Sequence, residues 1–199
     1  MMKSPSPLLA LAGLMLGATL GLSGCGGGNP LGNPSDVQNP AGTGGEKLSF
    51  AYYQKCIEPL LVQAIATPAG GTATCAAGGC HSNANGTGGA LRIIETASMV
   101  DLSASADTIR ASDIYKNFYS AMGASVPGNS AESRLLNKPL VRGVLHGGGQ
   151  ILASENDPVA VLIRYWIDHP APEGQDEFST ATYSMFTPAD PATGSCNTQ

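Results

Sequence analysis

A mostly α-helical domain with Gly-rich loops is predicted over residues 47–176 by three observations. Apolar residues recur at spacings of three and four in several short segments, each opened by Ser, Asp or Pro. No segment alternates polar and apolar residues long enough to demand a sheet, and no internal repeat is visible. The 26 Gly and 14 Pro, about a fifth of 199 residues, break the chain too often for long uninterrupted elements. With one short apolar prefix and no second core-sized region, one folded domain is expected.

The elements follow in chain order. LSFAYYQKCIEPLLVQAIA, residues 48–66, predicts a helix capped by Ser49, with a kink or a division into two shorter helices at Pro59. SDIYKNFYSAM predicts a second helix from Ser112 to Met122. ESRLLNK predicts a short third helix that stops before Pro139. DPVAVLIRYWID predicts the clearest one, with Pro158 in its first turn and an apolar stripe of Val161, Leu162, Tyr165 and Trp166. Residues 177–199 are expected to form an extended C-terminal tail.

The chain opens MMKSPSPLLALAGLMLGATLGLSGC, with Lys3 followed by an apolar run from Leu8 to Leu22. That run is too short for a membrane span and fits a secretory signal over residues 1–24. Leu22-Ser23-Gly24-Cys25 resembles the bacterial lipobox, which implies a lipid on Cys25 as the first residue of the exported protein. The bland alternative is an ordinary signal cut near Gly24, with Cys25 incidental. Residues 25–46, GGGNPLGNPSDVQNPAGTGGE after the cysteine, hold turn formers and almost no apolar side chains, so they form a flexible linker. A domain tethered to the membrane by its lipid anchor is expected in the bacterial envelope, periplasmic or surface-facing. In the lipoprotein family an Asp after the cysteine favours inner-membrane retention, and Gly26 in that place points to the outer membrane. A formal net charge of −5 with only 10 Lys and Arg leaves no basic face to neutralise phosphates, so no nucleic-acid partner is expected.

Of the five cysteines, Cys25, Cys56, Cys75, Cys80 and Cys196, four remain in an oxidising compartment once Cys25 is lipidated. Two disulfides would account for them. A Cys75–Cys80 bridge would close a very small loop, however, and would give no reason for the adjacent His81. Two thiols followed directly by a histidine is the grouping that attaches a c-type haem: each thiol adds to one vinyl group, and the imidazole reaches the iron. The usual spacing leaves two residues between the thiols, and CAAGGCHS leaves four. Gly78 and Gly79 allow the extra residues to loop out. A zinc site from these thiols and the histidines is conceivable, but adjacent Cys80 and His81 are awkward ligands for one tetrahedral ion.

Four further motifs stand in order along the chain: CIEPLL from Cys56 and GTGGALRI from Gly86, then VPGNSAESRLLNKPL from Val126 and LIRYWIDHPAP from Leu162. Together with CAAGGCHS they resemble the small cytochrome c domains of bacterial exported proteins, over about residues 47–174. The resemblance implies one covalent haem c held by Cys75, Cys80 and His81. With those thiols on haem and Cys25 on lipid, Cys56 and Cys196 remain to form a disulfide. In the resembling domains a Met often supplies the sixth iron ligand before the last helix. This chain has VRGVLHGGGQ there, and His146 takes the place, with Met122 and Met99 as rivals that are ordinarily core residues. Two histidine ligands imply a lower reduction potential than His/Met. His169 is expected at the end of the last helix and Trp166 in the core, with Arg92, Lys138 and Arg142 as candidate partners of the haem propionates. HGGG also occurs in esterase oxyanion holes, but no serine beyond Gly149 sits in a nucleophile motif. The expected function is electron transfer with an unknown redox partner, by a carrier and not an enzyme. The alternative is a haem-free, disulfide-stapled envelope lipoprotein that acts as a binding or structural module.

Overall fold

The structure is a computed structural model and describes residues 46–182 and residue 196. The signal segment, Cys25 and the linker up to residue 45 lie outside the described residues. What is described is mostly helical with little strand.

The first helical segment runs without interruption as α1 (Phe50–Tyr52), a π turn (Tyr53–Ile57) and α2 (Glu58–Val62). Ser49 caps it as expected, its hydroxyl accepting the Tyr52 N–H at 3.2 Å. The kink or division expected at Pro59 is instead absorbed by the π turn. Proline has no N–H to donate, and its ring collides with the carbonyl four residues back in a regular helix. Widening the preceding turn, closed by Glu58 N–H donating to the Tyr53 carbonyl, removes that conflict.

A two-residue antiparallel pair follows, β1 (Ile65–Ala66) and β2 (Thr72–Ala73), with Ile65 opposite Ala73. It reverses the chain toward Cys75. Helix α3 (Ala106–Ala111) escaped the sequence pattern because it is short and buries only Ile109, although Ser105 caps it by accepting the Thr108 N–H. Ser112 ends α3 and caps α4 (Asp113–Met122), so one residue forms the corner between two helices.

A 3₁₀ turn (Ser130–Glu132) leads into α5 (Arg134–Leu140), which continues through Pro139 where the sequence predicted a stop. Pro139 is tolerated because it lies in the final turn, and its carbonyl accepts the N–H groups of Ile151 and Leu152 at 2.9 and 3.1 Å. Helix α6 (Pro158–Asp168) starts at the Asp157 cap with Pro158 in its first turn. Its buried face is Ala160, Val161, Ile163, Trp166 and Ile167; Leu162 and Tyr165 of the predicted stripe are only half-buried, flanking that face.

The core lies around the first helical segment. Phe50, Tyr52, Tyr53, Phe118 and Trp166 are almost wholly buried, and Tyr53 packs its ring against both Phe118 and Trp166. Trp166 is thus a core residue, and its indole N–H donates to the Ser49 carbonyl at 2.9 Å. A disulfide joins Cys56 to Cys196 across 140 residues, with Cα atoms 5.9 Å apart. Packing runs beyond residue 176. Buried Glu177 accepts hydrogen bonds from Arg110 and the Tyr115 hydroxyl, and Thr182 is hydrogen-bonded to Ser49. Burial alone would raise the Glu177 pKa, but those hydrogen bonds outweigh it and hold the carboxyl below its ordinary value. Among the described residues no helix is long and apolar enough to cross a membrane.

Candidate functional site

The loop from Thr74 to Ser82 is built of successive tight turns. Ala77 N–H donates to the Thr74 carbonyl, Cys80 N–H to Ala77, and His81 N–H returns to the Cys75 carbonyl at 2.9 Å. Gly79 sits at φ 81°, a conformation that the extra residues between the cysteines require and glycine supplies without strain. Cys75 and Cys80 are half-buried free thiols, not joined to each other. Burial, with the nearby Cys80 sulfur adding to it, pushes the Cys75 thiol up to about 11, so it stays protonated at neutral pH.

The GTGGALRI segment then folds back against this loop. Ile93 N–H donates to the His81 carbonyl at 2.8 Å, and Asn83 N–H donates to Ile93 at 2.7 Å, forming a parallel bridge between Ser82 and Ile93. Gly88 is pressed so close that a Cβ there would stand 2.6 Å from His81 Cε1 and Nδ1 and 2.7 Å from the Cys80 carbonyl oxygen. The glycine is therefore dictated by the imidazole beside it.

His81 donates from Nδ1 to the Leu91 carbonyl at 3.1 Å. Because a carbonyl only accepts, the proton is on Nδ1 and the free lone pair is on Nε2. Burial, together with the charges of His146, Lys138 and Arg92, lowers the His81 pKa despite the Leu91 bond and keeps the ring neutral. His146 repeats the arrangement on the loop after α5, with its Nδ1 donating to the Gly149 carbonyl at 2.8 Å. HGGG is thus a turn that orients an imidazole.

The two imidazole rings lie with their centroids 6.2 Å apart and their planes only 9° from parallel. That is too far for ring-on-ring contact. Two imidazoles that hold one ion between their Nε2 atoms, each bond about 2 Å long and each centroid roughly 1.1 Å further, would stand about 6 Å apart. Among the described residues no group of three or more His, Cys, Asp or Glu is gathered to hold an ion directly. Two imidazoles alone suit a metal that brings its own equatorial donors, as a haem iron does.

The remaining candidates fall elsewhere. Met122 ends α4, half-buried against the core, and Met99 is 64% exposed. His169 lies just past α6, donating from Nδ1 to the Tyr165 carbonyl and stacked on the Tyr165 ring. Arg92 and Lys138 both bear electrostatically on His81, whereas Arg142 is taken up by Asn137, Ser130 and an ion pair with Glu155.

Sequence reasoning missed the buried support beneath this site. Asn117 is fully buried: its Oδ1 accepts the Ile94 N–H at 2.7 Å, and its Nδ2 donates to the Ile94 carbonyl at 3.0 Å and to Glu58 Oε1 at 2.6 Å. The Tyr53 hydroxyl donates to the other Glu58 oxygen at 2.5 Å. Burial raises the pKa of Glu58, against the pull of these two donors. The segment that carries Leu91 and Ile93 is thereby pinned to α2 and α4. The available signal was polar residues inside apolar helical runs, Glu58 in CIEPLL and Asn117 in IYKNFY. No family model, no curated protein and no solved structure matches the chain.

Proposed function

We propose that the chain is a monohaem cytochrome c-like electron carrier, exported and held at the bacterial envelope by a lipid on Cys25. The observation that carries this is the pair of parallel imidazoles, His81 and His146, 6.2 Å apart with both Nδ1 atoms occupied by carbonyls. The free thiols of Cys75 and Cys80 next to His81, with Cys56 and Cys196 already joined, support the same assignment. Each thiol would add across a vinyl double bond, sulfur to one carbon and hydrogen to the other, without any oxidant. The haem supplies one-electron exchange at its iron.

The chain's own residues do the rest. His81 offers a neutral Nε2 from a backbone-locked loop, and the Leu91 carbonyl raises its basicity by accepting the Nδ1 proton. His146 offers the Nε2 of a second imidazole, and two such ligands favour a lower potential than His/Met. Arg92 and Lys138 place positive charge near His81, where propionates would be neutralised. With His81 and His146 both available to hold the iron, the chain would suit a carrier that passes electrons to an unidentified redox partner. Replacing His146 by Ala tests the assignment: the haem-loaded protein should change from a low-spin to a high-spin spectrum, and an unchanged low-spin spectrum would remove His146 from the site.

A further inference from the structure

The two histidines are held very differently. His81 is fixed through its own N–H to Cys75, its carbonyl to Ile93, its ring to Leu91, and the close approach of Gly88. His146 stands on a surface loop whose ring bond, to Gly149, lies inside the same turn. That loop leaves α5 at Val141, a β-branched residue in the left-handed region at φ 55°, and turns again at Gly143 and Gly149, at φ 67° and 74°. Leu145, beside the histidine, is 87% exposed. Anchoring is confined to the base, where Ile151 and Leu152 donate to the Pro139 carbonyl and Arg142 pairs with Glu155.

We propose that His146 is a displaceable ligand, and that the chain binds small uncharged π-acceptor molecules of the carbon monoxide and nitric oxide class when the loop of residues 142–150 swings out. This rests on the haem assignment above and adds a ligand-binding activity to electron transfer. The exchange is a substitution. The iron–Nε2 bond breaks with its electron pair returning to the imidazole, the incoming molecule donates a pair in its place, and the iron keeps its oxidation state.

The test is stopped-flow mixing of the reduced, haem-loaded full chain with increasing carbon monoxide, followed by the shift of the haem bands. The expected result is complete adduct formation at a rate that rises to a plateau set by loop opening. Glu155→Gln, which breaks the ion pair at the base of the loop, should raise that plateau about two- to fivefold, the effect of losing one surface pair. Amides of residues 143–149 should exchange with solvent ahead of those of residues 81–93 in the same protein without carbon monoxide. Failure to form an adduct overturns the proposal, as does a wild-type rate that climbs linearly without a plateau and ignores Glu155→Gln. A purified chain with no haem would instead strike the assignment on which the proposal rests, so the two failures are told apart before mixing.

Discussion

Replacing Gly88 by Ala asks whether the chain is shaped around the His81 ring. The added methyl would begin 2.6 Å from two ring atoms and 2.7 Å from the Cys80 carbonyl oxygen, whereas ordinary contacts lie at 3.4–4 Å. Relief requires a movement of roughly 1 Å, and the Gly88 N–H to Cys80 bond at 2.7 Å ties the intruding backbone to the loop it must leave. A metal site tolerates about 0.2 Å in its ligand distances, so a shift of that size should cost His81 its ligation. Overpacking of this kind should also destabilise the fold by about 1–3 kcal/mol. Gly89→Ala is the control: Gly89 sits at φ 81° with nothing within 4 Å of an added Cβ, so it carries backbone strain without the collision. Absorption and electron paramagnetic resonance spectra of the haem-loaded variants, with urea unfolding of each, measure both effects. Gly88→Ala should show mixed or high-spin iron while Gly89→Ala keeps the wild-type spectrum. A wild-type spectrum in Gly88→Ala, or the same change in both variants, would refute the steric reasoning.

Two stability predictions follow. Replacing Cys56 and Cys196 together by Ala releases a loop that spans 140 residues, so the chain-entropy relation predicts a loss of about 5 kcal/mol. With a slope near 2 kcal/mol/M the urea midpoint should fall by about 2–2.5 M, and a fall below about 0.5 M would contradict a stapling role. Glu58 has a folded pKa raised by burial, so its contribution is fully present below the ordinary carboxylate range and is lost as pH rises through the raised value. Glu177, with a depressed pKa, runs the other way, so wild type must be compared with Glu58→Gln at each pH. Between pH 4 and pH 7 wild type should lose stability relative to Glu58→Gln, and a difference that stays constant with pH would show that Glu58 is not titrating there.

The starts of α1, α4 and α6 were legible because each depends on local residues: Ser49 and Ser112 each accept a backbone N–H of the turn they open, and Pro158 lies in the first turn it marked, behind the Asp157 cap. The mostly helical class and the Cys56–Cys196 bond were legible as well. The π turn was not, because Pro59 announces a conflict in the helix without saying how it is relieved. Continuation of α5 through Pro139 depends on donors from Ile151 and Leu152, and the packing beyond residue 176 depends on Arg110 and Tyr115. No local pattern carries such long-range bonds. His81 and His146 could be named from the sequence, but their parallel placement follows from the 141–150 loop being closed at Pro139. Glu58 and Asn117 read as ordinary helix residues until the fold joins them to each other and Asn117 to Ile94.

The most direct test of the central claim is the reduced alkaline pyridine spectrum of the purified, denatured full chain, expressed where cytochrome maturation is active. A c-type haemochrome at one haem per chain, lost when Cys75 and Cys80 are both replaced by Ser, is the predicted result. A colourless wild-type chain would contradict the haem assignment and leave a haem-free, disulfide-stapled envelope lipoprotein as the account to pursue.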